Sequence, residues 1–443
     1  MAKKPKFQSP TGMHDILPKD QRYYQRIYNI VSDVADFYGF GKIDTPVVEQ
    51  AELFSKGIGL ATDIVKKQMY TLKTRRGDFL ALRPEWTAPI VRAYIEKGMQ
   101  DQPQPLKLWY FGPCYRYERP QAGRYRQFWQ FGFEVFGEVN PVIDAQIIQI
   151  FYNILRELKL KNLIVEINSI GDSQCRPYYK KLLSNYFRSR EISLCVDCKR
   201  RLRENVLRVL DCKEEKCQPI KADAPQILDH LCEECRLHFK EVLEFLDEIE
   251  IPYNLNPYLV RGLDYYTKTV FEIFPERICE EEGLKNALAG GPARQRPEPQ
   301  ALAGGGRYDK LVKLLGGRET SACGAAAGIE RIIGLMKSRD IKFPKGFEVQ
   351  VFLAQLGNLA KRKSLKLLGD FRKAKIKVAE SFGRDSLKAQ LNRADRIGVK
   401  YTLILGQKEA LEGTIIIRDM KTGKQEIVKL DKVVEEMKGR LKK

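Results

Sequence analysis

No run of about 18 apolar residues, the length a membrane-spanning helix requires, occurs anywhere in the chain. The basic start, Met1-Ala2-Lys3-Lys4-Pro5-Lys6, lacks the apolar stretch of a secretory signal and continues instead as Phe7-Gln8-Ser9-Pro10. The protein is therefore expected to stay in the cytoplasm, where a long chain does not need disulfides. A balance of charge is also missing. Lys and Arg number 77 against 57 Asp and Glu, a net +20. That surplus favours a polyanionic partner, because clustered cations release counterions when they meet phosphates, although a solubilising surface would look the same. What remains is ordinary for a globular protein, with 43% hydrophobic and 30% charged residues over 443 positions. Such a length implies two or three domains of roughly 100–200 residues each.

Along the chain, Ile27, Ile30, Val31, Val34 and Tyr38 recur at helical spacing, so the sequence predicts an amphipathic helix from Asp20 to Tyr38, ended by Gly39 and Gly41. Lys107 to Gly137 reads as two aromatic strands around a polar loop, Glu118 to Arg124. Residues 171–251 turn helical and hold seven of the ten cysteines, as an inserted module would. Pro252 and Pro257 mark the return, and Cys279–Gln300 reads as a surface loop whose Ala-Leu-Ala-Gly-Gly at 287 recurs at 301. A last unit begins near Phe347. Strand candidates Val349–Leu353, Ile376–Ala379 and Tyr401–Leu405 alternate there with helical stretches Leu359–Lys373 and Ser386–Ile397, the pattern of a small α/β domain. It carries 23 Lys and Arg against 12 Asp and Glu, so 23 − 12 = +11, over half the net charge.

The second aromatic strand carries the first chemical signal. Alternation puts Phe128, Gln130, Gly132 and Glu134 on one face and Trp129, Phe131, Phe133 and Val135 on the other. Amide and carboxylate beside glycine, beneath an aromatic, describe the floor of a polar pocket, or else a sheet face open to water. At the end of the first strand Arg116 and Glu118 share a face. A guanidinium there can fork onto a phosphate or carboxylate, while an isolated R-x-E is ordinarily a surface ion pair.

Read in order, these pieces resemble the three motifs of class II aminoacyl-tRNA synthetases. The helix to Tyr38 with Thr45-Pro46 looks like motif 1, and Arg116-x-Glu118 with the basic loop and Phe128 like motif 2. Gly328-Ile-Glu-Arg331, opening a helix, looks like motif 3. Leu259-Val-Arg-Gly-Leu-Asp-Tyr-Tyr266 and Ala303-Gly-Gly-Gly-Arg-Tyr-Asp309 resemble the two peptides peculiar to the histidyl-tRNA synthetase family, and Leu82-Arg-Pro-Glu-Trp-Thr87 matches it too. The resemblance covers nearly the whole chain outside Cys279–Gln300. It implies an α+β fold, with a class II antiparallel sheet flanked by helices at residues 1–170 and 252–340. A helical insertion at 171–251 and an anticodon-binding α/β domain at 347–443 would complete it, the whole working as a homodimer.

The resemblance also implies roles. Glu85 and Thr87, with Gln130, would hold the α-ammonium of L-histidine; Glu134, Tyr265 and Tyr266 would surround its imidazole. Trp86, where relatives usually carry a small residue, falls among this histidine-binding set, and Trp129 replaces a frequent His but points to the core face. Arg116 and Arg261 would grip the histidine carboxylate and the α-phosphate of ATP, with Arg261 the first choice as catalytic residue. Arg331 would take the γ-phosphate and Phe128 would stack on adenine. Glu118 would accept from the adenine amino group, and Mg²⁺ would bridge the phosphates. The loop residues Arg119, Gln121, Arg124 and Arg126 would meet the acceptor end of tRNA(His), with Gln121 and Arg126 reading its extra 5′ guanosine. Lys388, Arg393 and Arg396 would touch the tRNA backbone or serve as a solvated helix face.

Cys195-x-x-Cys198 and Cys232-x-x-Cys235 have the paired spacing of one structural Zn²⁺ site, with Cys212 and Cys217 lying between; buried free thiols are the alternative. His230 and His238 read as ordinary helix residues. Two rivals differ in kind. A non-catalytic regulatory subunit of histidine biosynthesis would lack the Arg261 peptide and the basic C-terminal domain. A synthetase for glycine, proline or threonine would lack Glu134 paired with Tyr265-Tyr266.

Overall fold

The computed structural model describes residues 7–121, 123–276, 300–341, 349–383 and 386–442. The expected surface loop and the first copy of the Ala-Leu-Ala-Gly-Gly repeat lie outside them. Helix α1 (Pro18–Tyr38) begins two residues earlier than the apolar spacing indicates, because Pro18 takes the first helical position, where its fixed φ and missing N–H cost nothing. Tyr23, Ile27, Ile30, Val31 and Val34 form its buried stripe, and Gly39 at φ 73° closes it.

The strands that follow are β1 (Gly41–Lys42), β2 (Val48–Gln50), β3 (Thr71–Lys73), β4 (Phe79–Leu82), β5 (Leu106–Tyr115) and β6 (Gln127–Phe136). After them come β7 (Leu163–Ser169), β8 (Tyr253–Leu255), β9 (Thr267–Pro275), β10 (Ala303–Arg307) and β11 (Ala322–Gly328). An eight-stranded sheet has the order β1-β5-β6-β11-β10-β9-β7-β8, and β2-β4-β3 makes a small sheet beside it. The strands from β5 to β7 pair antiparallel, and only the two edge pairings, β1 with β5 and β7 with β8, are parallel. The antiparallel sheet anticipated from the sequence is present.

One face of this sheet is closed by α1 and by α4 (Val142–Glu157), the fourth helix after α2 (Ala51–Ile58) and α3 (Thr87–Glu96). Phe131 stacks on Phe151 of α4 at 5.6 Å, and Phe133 packs edge-on between Phe40 and Phe151. Each such ring buried contributes roughly 1.5–3 kcal/mol. The same layer hides an ion pair: Arg307 donates from Nε to Asp144 Oδ2 at 3.0 Å, both side chains almost fully buried. Arg307 therefore anchors the Ala303–Asp309 peptide instead of facing a ligand.

Residues 171–251 are helical as expected, with α5 (Cys175–Arg188), α6 (Val196–Glu204) and a helix Glu233–Glu248. Tyr179, Leu183, Phe187, Leu202 and Val209 give the segment a core of its own. Its last helix nonetheless packs on α4 and β9, and residues up to Ile341 form one compact unit.

The second compact unit has a five-stranded sheet. Its strands are β12 (Val351–Gln355), β13 (Val378–Glu380), β14 (Tyr401–Leu405), β15 (Thr414–Asp419) and β16 (Gln425–Lys429), in the order β13-β12-β14-β15-β16. The three strands expected from sequence are found, with helices Asn358–Lys373 and Leu387–Ile397 between them. The antiparallel β15 and β16 and the closing helix Val433–Lys442 were not anticipated. Among the described residues no helix is long and apolar enough to cross a membrane.

Candidate active site

Away from α1 and α4, the other face of the sheet is built for a ligand. The register sets Glu134 between Leu108 and Gly324, Gly132 between Tyr110 and Ala326, and Gln130 between Gly112 and Gly328. Two strands on, Gly304 lies beside Ala326 and Glu272. Glycine and alanine thus leave a shelf on the floor, over which a cavity of about 370 Å³ opens. Phe128, Gln130, Arg116, Glu118, Arg261 and Arg331 all line it.

Its outer part is cationic. Arg116 is steadied by donating from Nε to the Pro84 carbonyl at 2.8 Å and lies 5.2 Å from the centre of the Phe128 ring. Strand β5 ends at Tyr115, so Arg116 and Glu118 stand just past it, yet their side chains still meet at 3.9 Å. Arg261 pairs with Glu272 and lies across Gly304, where an added Cβ would come within 2.5 Å of its Nη1. Arg331, on the helix Ile329–Ser338, donates to the carbonyls of Gly123 at 3.3 Å and Ala301 at 2.9 Å. Three guanidiniums held by the backbone or by one carboxylate make a preorganised site for phosphate oxygens.

Deeper in, the site turns to carboxylates and phenols. Glu134 accepts from the Thr87 hydroxyl at 2.9 Å and from the Tyr308 hydroxyl at 2.5 Å. Its burial pushes the carboxyl up to about 8, although both donors pull the other way. Glu85 accepts from the backbone N–H of Thr87 at 2.6 Å and of Ala88 at 2.9 Å, where α3 begins. Burial raises its carboxyl as well, against those two N–H groups. Tyr265 packs on Tyr266 with centroids 4.7 Å apart and edge-on to Tyr308 at 5.7 Å. Two buried carboxylates among phenol rings suit a small cationic or N–H-bearing ligand.

The raised Glu134 carboxyl has a measurable consequence. The folded chain holds a proton there that the unfolded chain releases near pH 4.5, so stability from this group is full below that pH and is lost as pH rises through about 8. Burial likewise raises Glu330 to about 7, so it acts over the same window. Thermal unfolding between pH 5 and 8.5 is expected to show a falling Tm that is distinctly flatter in Glu134→Gln; equal slopes would show that Glu134 is ionised throughout.

Of the residues singled out from sequence, Arg116, Glu118, Phe128, Gln130, Arg261 and Arg331 line the cavity, while Glu85, Thr87, Glu134, Tyr265 and Tyr266 belong to the buried cluster that Tyr266 joins to Arg261. Trp86 does not line the cavity. Its ring is buried between the Arg83 guanidinium at 3.4 Å and Tyr110 at 4.8 Å, and it fills the space above Gly112. It is a supporting wall. Trp129 packs against Tyr24 of α1 and Phe111, on the far face as alternation requires. In the loop, Arg119, Gln121 and Arg124 are exposed. Arg126 is tied down by the Glu118 carbonyl at 3.2 Å and the Tyr117 ring at 3.9 Å. Lys388, Arg393 and Arg396 are exposed on their helix, opposite buried Gln390 and Ala394. His230 lies in a short 3-10 turn; His238 is a buried residue of the helix Glu233–Glu248.

Sequence reasoning missed Tyr308 and Glu272. Tyr308 stood in the quoted Ala303–Asp309 peptide, but a register irregularity at Gly306–Arg307 hides from simple alternation which face it takes. The single four-cysteine set is corrected as well. Cys195 and Cys198 gather with Cys212 and Cys217, while Cys232 and Cys235 gather with Cys175 and Asp172. The two C-x-x-C pairs open different helices, α6 in the core of the 171–251 segment and Glu233–Glu248 against α4, so they cannot share an ion.

The family model described as histidyl-tRNA synthetase matches residues 12–332, and that of an anticodon binding domain matches residues 350–440. The histidine–tRNA ligase of Dehalococcoides mccartyi strain 195 is 44% identical over 98% of this chain and all of its own length. That of Pelotomaculum thermopropionicum is 43% identical over 98% of this chain and 97% of its own. Among solved structures, apo histidyl-tRNA synthetase of S. aureus superposes with a TM-score of 0.77 at 34% identity, covering 97% of this chain and 99% of that one. With its antiparallel sheet, its arginine-lined cavity and full-length likeness to these ligases, the chain belongs to the histidyl-tRNA synthetase family.

Proposed function

We propose that this chain activates L-histidine with ATP and transfers it to the 3′ end of tRNA(His). The reading rests above all on one arrangement, in which Glu134, held by Tyr308 and Thr87, shares a strand face with Gln130, which lines a cavity that also carries Arg116, Arg261 and Arg331. Glu134 with Tyr265 and Tyr266 would take the imidazole, whose N–H a carboxylate can require; analogues that place it differently leave buried groups unpaired and are rejected. Glu85, Thr87 and Gln130 would hold the ammonium.

The histidine carboxylate is itself the nucleophile, so the chain need form no covalent intermediate. Its work is to align that carboxylate with the α-phosphorus and to stabilise charge as pyrophosphate departs. Arg116 and Arg261 would do this, Arg331 would take the γ-phosphate, and Phe128 and Glu118 would take adenine. Of the carboxylates at the cavity, Glu118, Glu272 and Glu330 are engaged by Arg116 and Arg124, by Arg261, and by Tyr24 with the Trp129 N–H, while Asp211 also lines it. Mg²⁺ would enter with the triphosphate and neutralise phosphate charge, with Asp211 the carboxylate left to approach it.

In the second step the exposed Arg119, Gln121 and Arg124 would meet the acceptor end, with Arg126 holding their loop. The basic C-terminal unit would bind the anticodon stem, with Lys388, Arg393 and Arg396 on phosphates. A homodimer through α1 and Thr45-Pro46, and the division into catalytic, inserted and anticodon-binding parts, complete the proposal.

ATP–pyrophosphate exchange with each of the standard amino acids tests it. Exchange is expected with histidine alone. Exchange with proline, glycine or threonine instead would overturn the specificity, and none with any amino acid would favour a regulatory protein.

A further inference from the structure

Seven buried or half-buried cysteines play no part in the reaction above, yet they are not scattered. The Sγ atoms of Cys195, Cys198, Cys212 and Cys217 all lie within 4.8 Å of one another, and so do those of Cys175, Cys232 and Cys235 with a carboxylate oxygen of Asp172. We propose that this chain holds two structural zinc ions, one bound by Cys195, Cys198, Cys212 and Cys217 and the other by Asp172, Cys175, Cys232 and Cys235.

Geometry argues for metal over disulfide or packing. Cys195 Sγ and Cys212 Sγ are 3.8 Å apart. A sulfur–sulfur bond is about 2.05 Å long. A tetrahedral ion with Zn–S bonds of about 2.3 Å separates its sulfurs by about 1.63 times that length, close to 3.8 Å. The limit of 4.8 Å also leaves no room for a multi-iron cluster between the ligands.

Both ligand sets have the spacing of zinc knuckles. The first reads C-x2-C followed by C-x4-C, and the second D-x2-C followed by C-x2-C. Backbone N–H groups point at the sulfurs, which favours the thiolate a metal needs. Cys198 N donates to Cys195 Sγ at 3.3 Å, Cys195 N to Cys217 Sγ at 3.3 Å, and Cys232 N to Cys175 Sγ at 3.0 Å. Cys195 and Cys232 each sit at the N-cap of a helix, with Cys198 and Cys235 in its first turn, where the peptide dipoles favour negative charge. The first ion would staple turns that otherwise share only a small core. The second would tie the start of the 171–251 segment to its end.

Metal analysis of the full chain, purified without chelators, is expected to give two zinc per chain. Cys212→Ser and Cys217→Ser should each reduce this to one, Cys175→Ser and Cys232→Ser should each reduce it to one, and Cys217→Ser with Cys232→Ser together should leave none. Cys323→Ser, a buried thiol elsewhere, should keep both. If a variant is insoluble, titrating the unaltered chain with a mercurial serves instead, and two zinc should be released as the thiols react. Fewer than two zinc per chain, iron in its place, or one ion lost equally in Cys198→Ser and Cys235→Ser but kept in Cys212→Ser would each overturn the assignment.

Discussion

Arg261→Ala is expected to slow histidyl-adenylate formation on the order of 10²–10³-fold, the loss usual when one preorganised charge-stabilising donor is removed, while histidine still binds within about twofold of normal. The asymmetry follows from position. Arg261 lines the arginine-rich cavity proposed for the phosphates, whereas the imidazole is proposed to meet Glu134, which Tyr308 and Thr87 hold. Its guanidinium is also the partner of Glu272, so its removal leaves a carboxylate facing the incoming triphosphate. Arg261→Lys keeps a charge but not the planar fork and should recover only part of the rate. Removing Glu272 as well should relieve the repulsion without restoring the catalysis. Single-turnover adenylate formation and calorimetric histidine binding separate these effects; a near-normal rate in Arg261→Ala would remove it from the mechanism.

Gly324→Ala, which adds one methyl group, is expected to raise KM for histidine by roughly 30- to 150-fold, the loss of a buried hydrogen-bonding arrangement worth about 2–3 kcal/mol, with KM for ATP little changed. A Cβ built at Gly324 would lie 1.7 Å from Glu134 Oε2 and 2.6 Å from the Phe133 carbonyl. The carboxylate must leave its place between Thr87 and Tyr308, because the sheet backbone on either side cannot. Pairing Gly324→Ala with Glu134→Ala should recover part of the lost thermal stability, since the clash with the carboxylate is gone and only that with the Phe133 carbonyl remains, but none of the histidine activation. Were the double variant to activate histidine normally, Glu134 would not be its reader.

Much of this site could be read from the sequence because it is written in strand alternation. Phe128, Gln130 and Glu134 share a face by period two alone, and the motif peptides place Arg116, Arg261 and Arg331 in order. What escaped were relations set by tertiary pairing. That Tyr308 meets Glu134 depends on an irregular register between β9 and β10, and that Arg261 meets Glu272 depends on a loop folding back onto β9. The cysteines show the same limit. C-x-x-C spacing identifies ligands but not partners, and the chain takes Cys195 to Cys212 while Cys232 goes to Cys175. In the C-terminal unit β16 alternates exposed and half-buried residues with no fully buried one, which left little apolar signal to detect.

The shelf of small residues beneath the cavity also bears on how such a chain can drift. At Gly304 and Gly324 the space of a side chain is already taken, by the Arg261 guanidinium in one case and the Glu134 carboxylate in the other. Every amino-acid replacement at a glycine codon adds at least a Cβ, so no single-base missense change there is gentle. Exposed loop residues such as Gln121 carry no comparable packing constraint. On the proposed roles, the capacity to follow the RNA and the fidelity to histidine would reside in separate parts of the gene, one open to variation and the other closed by volume.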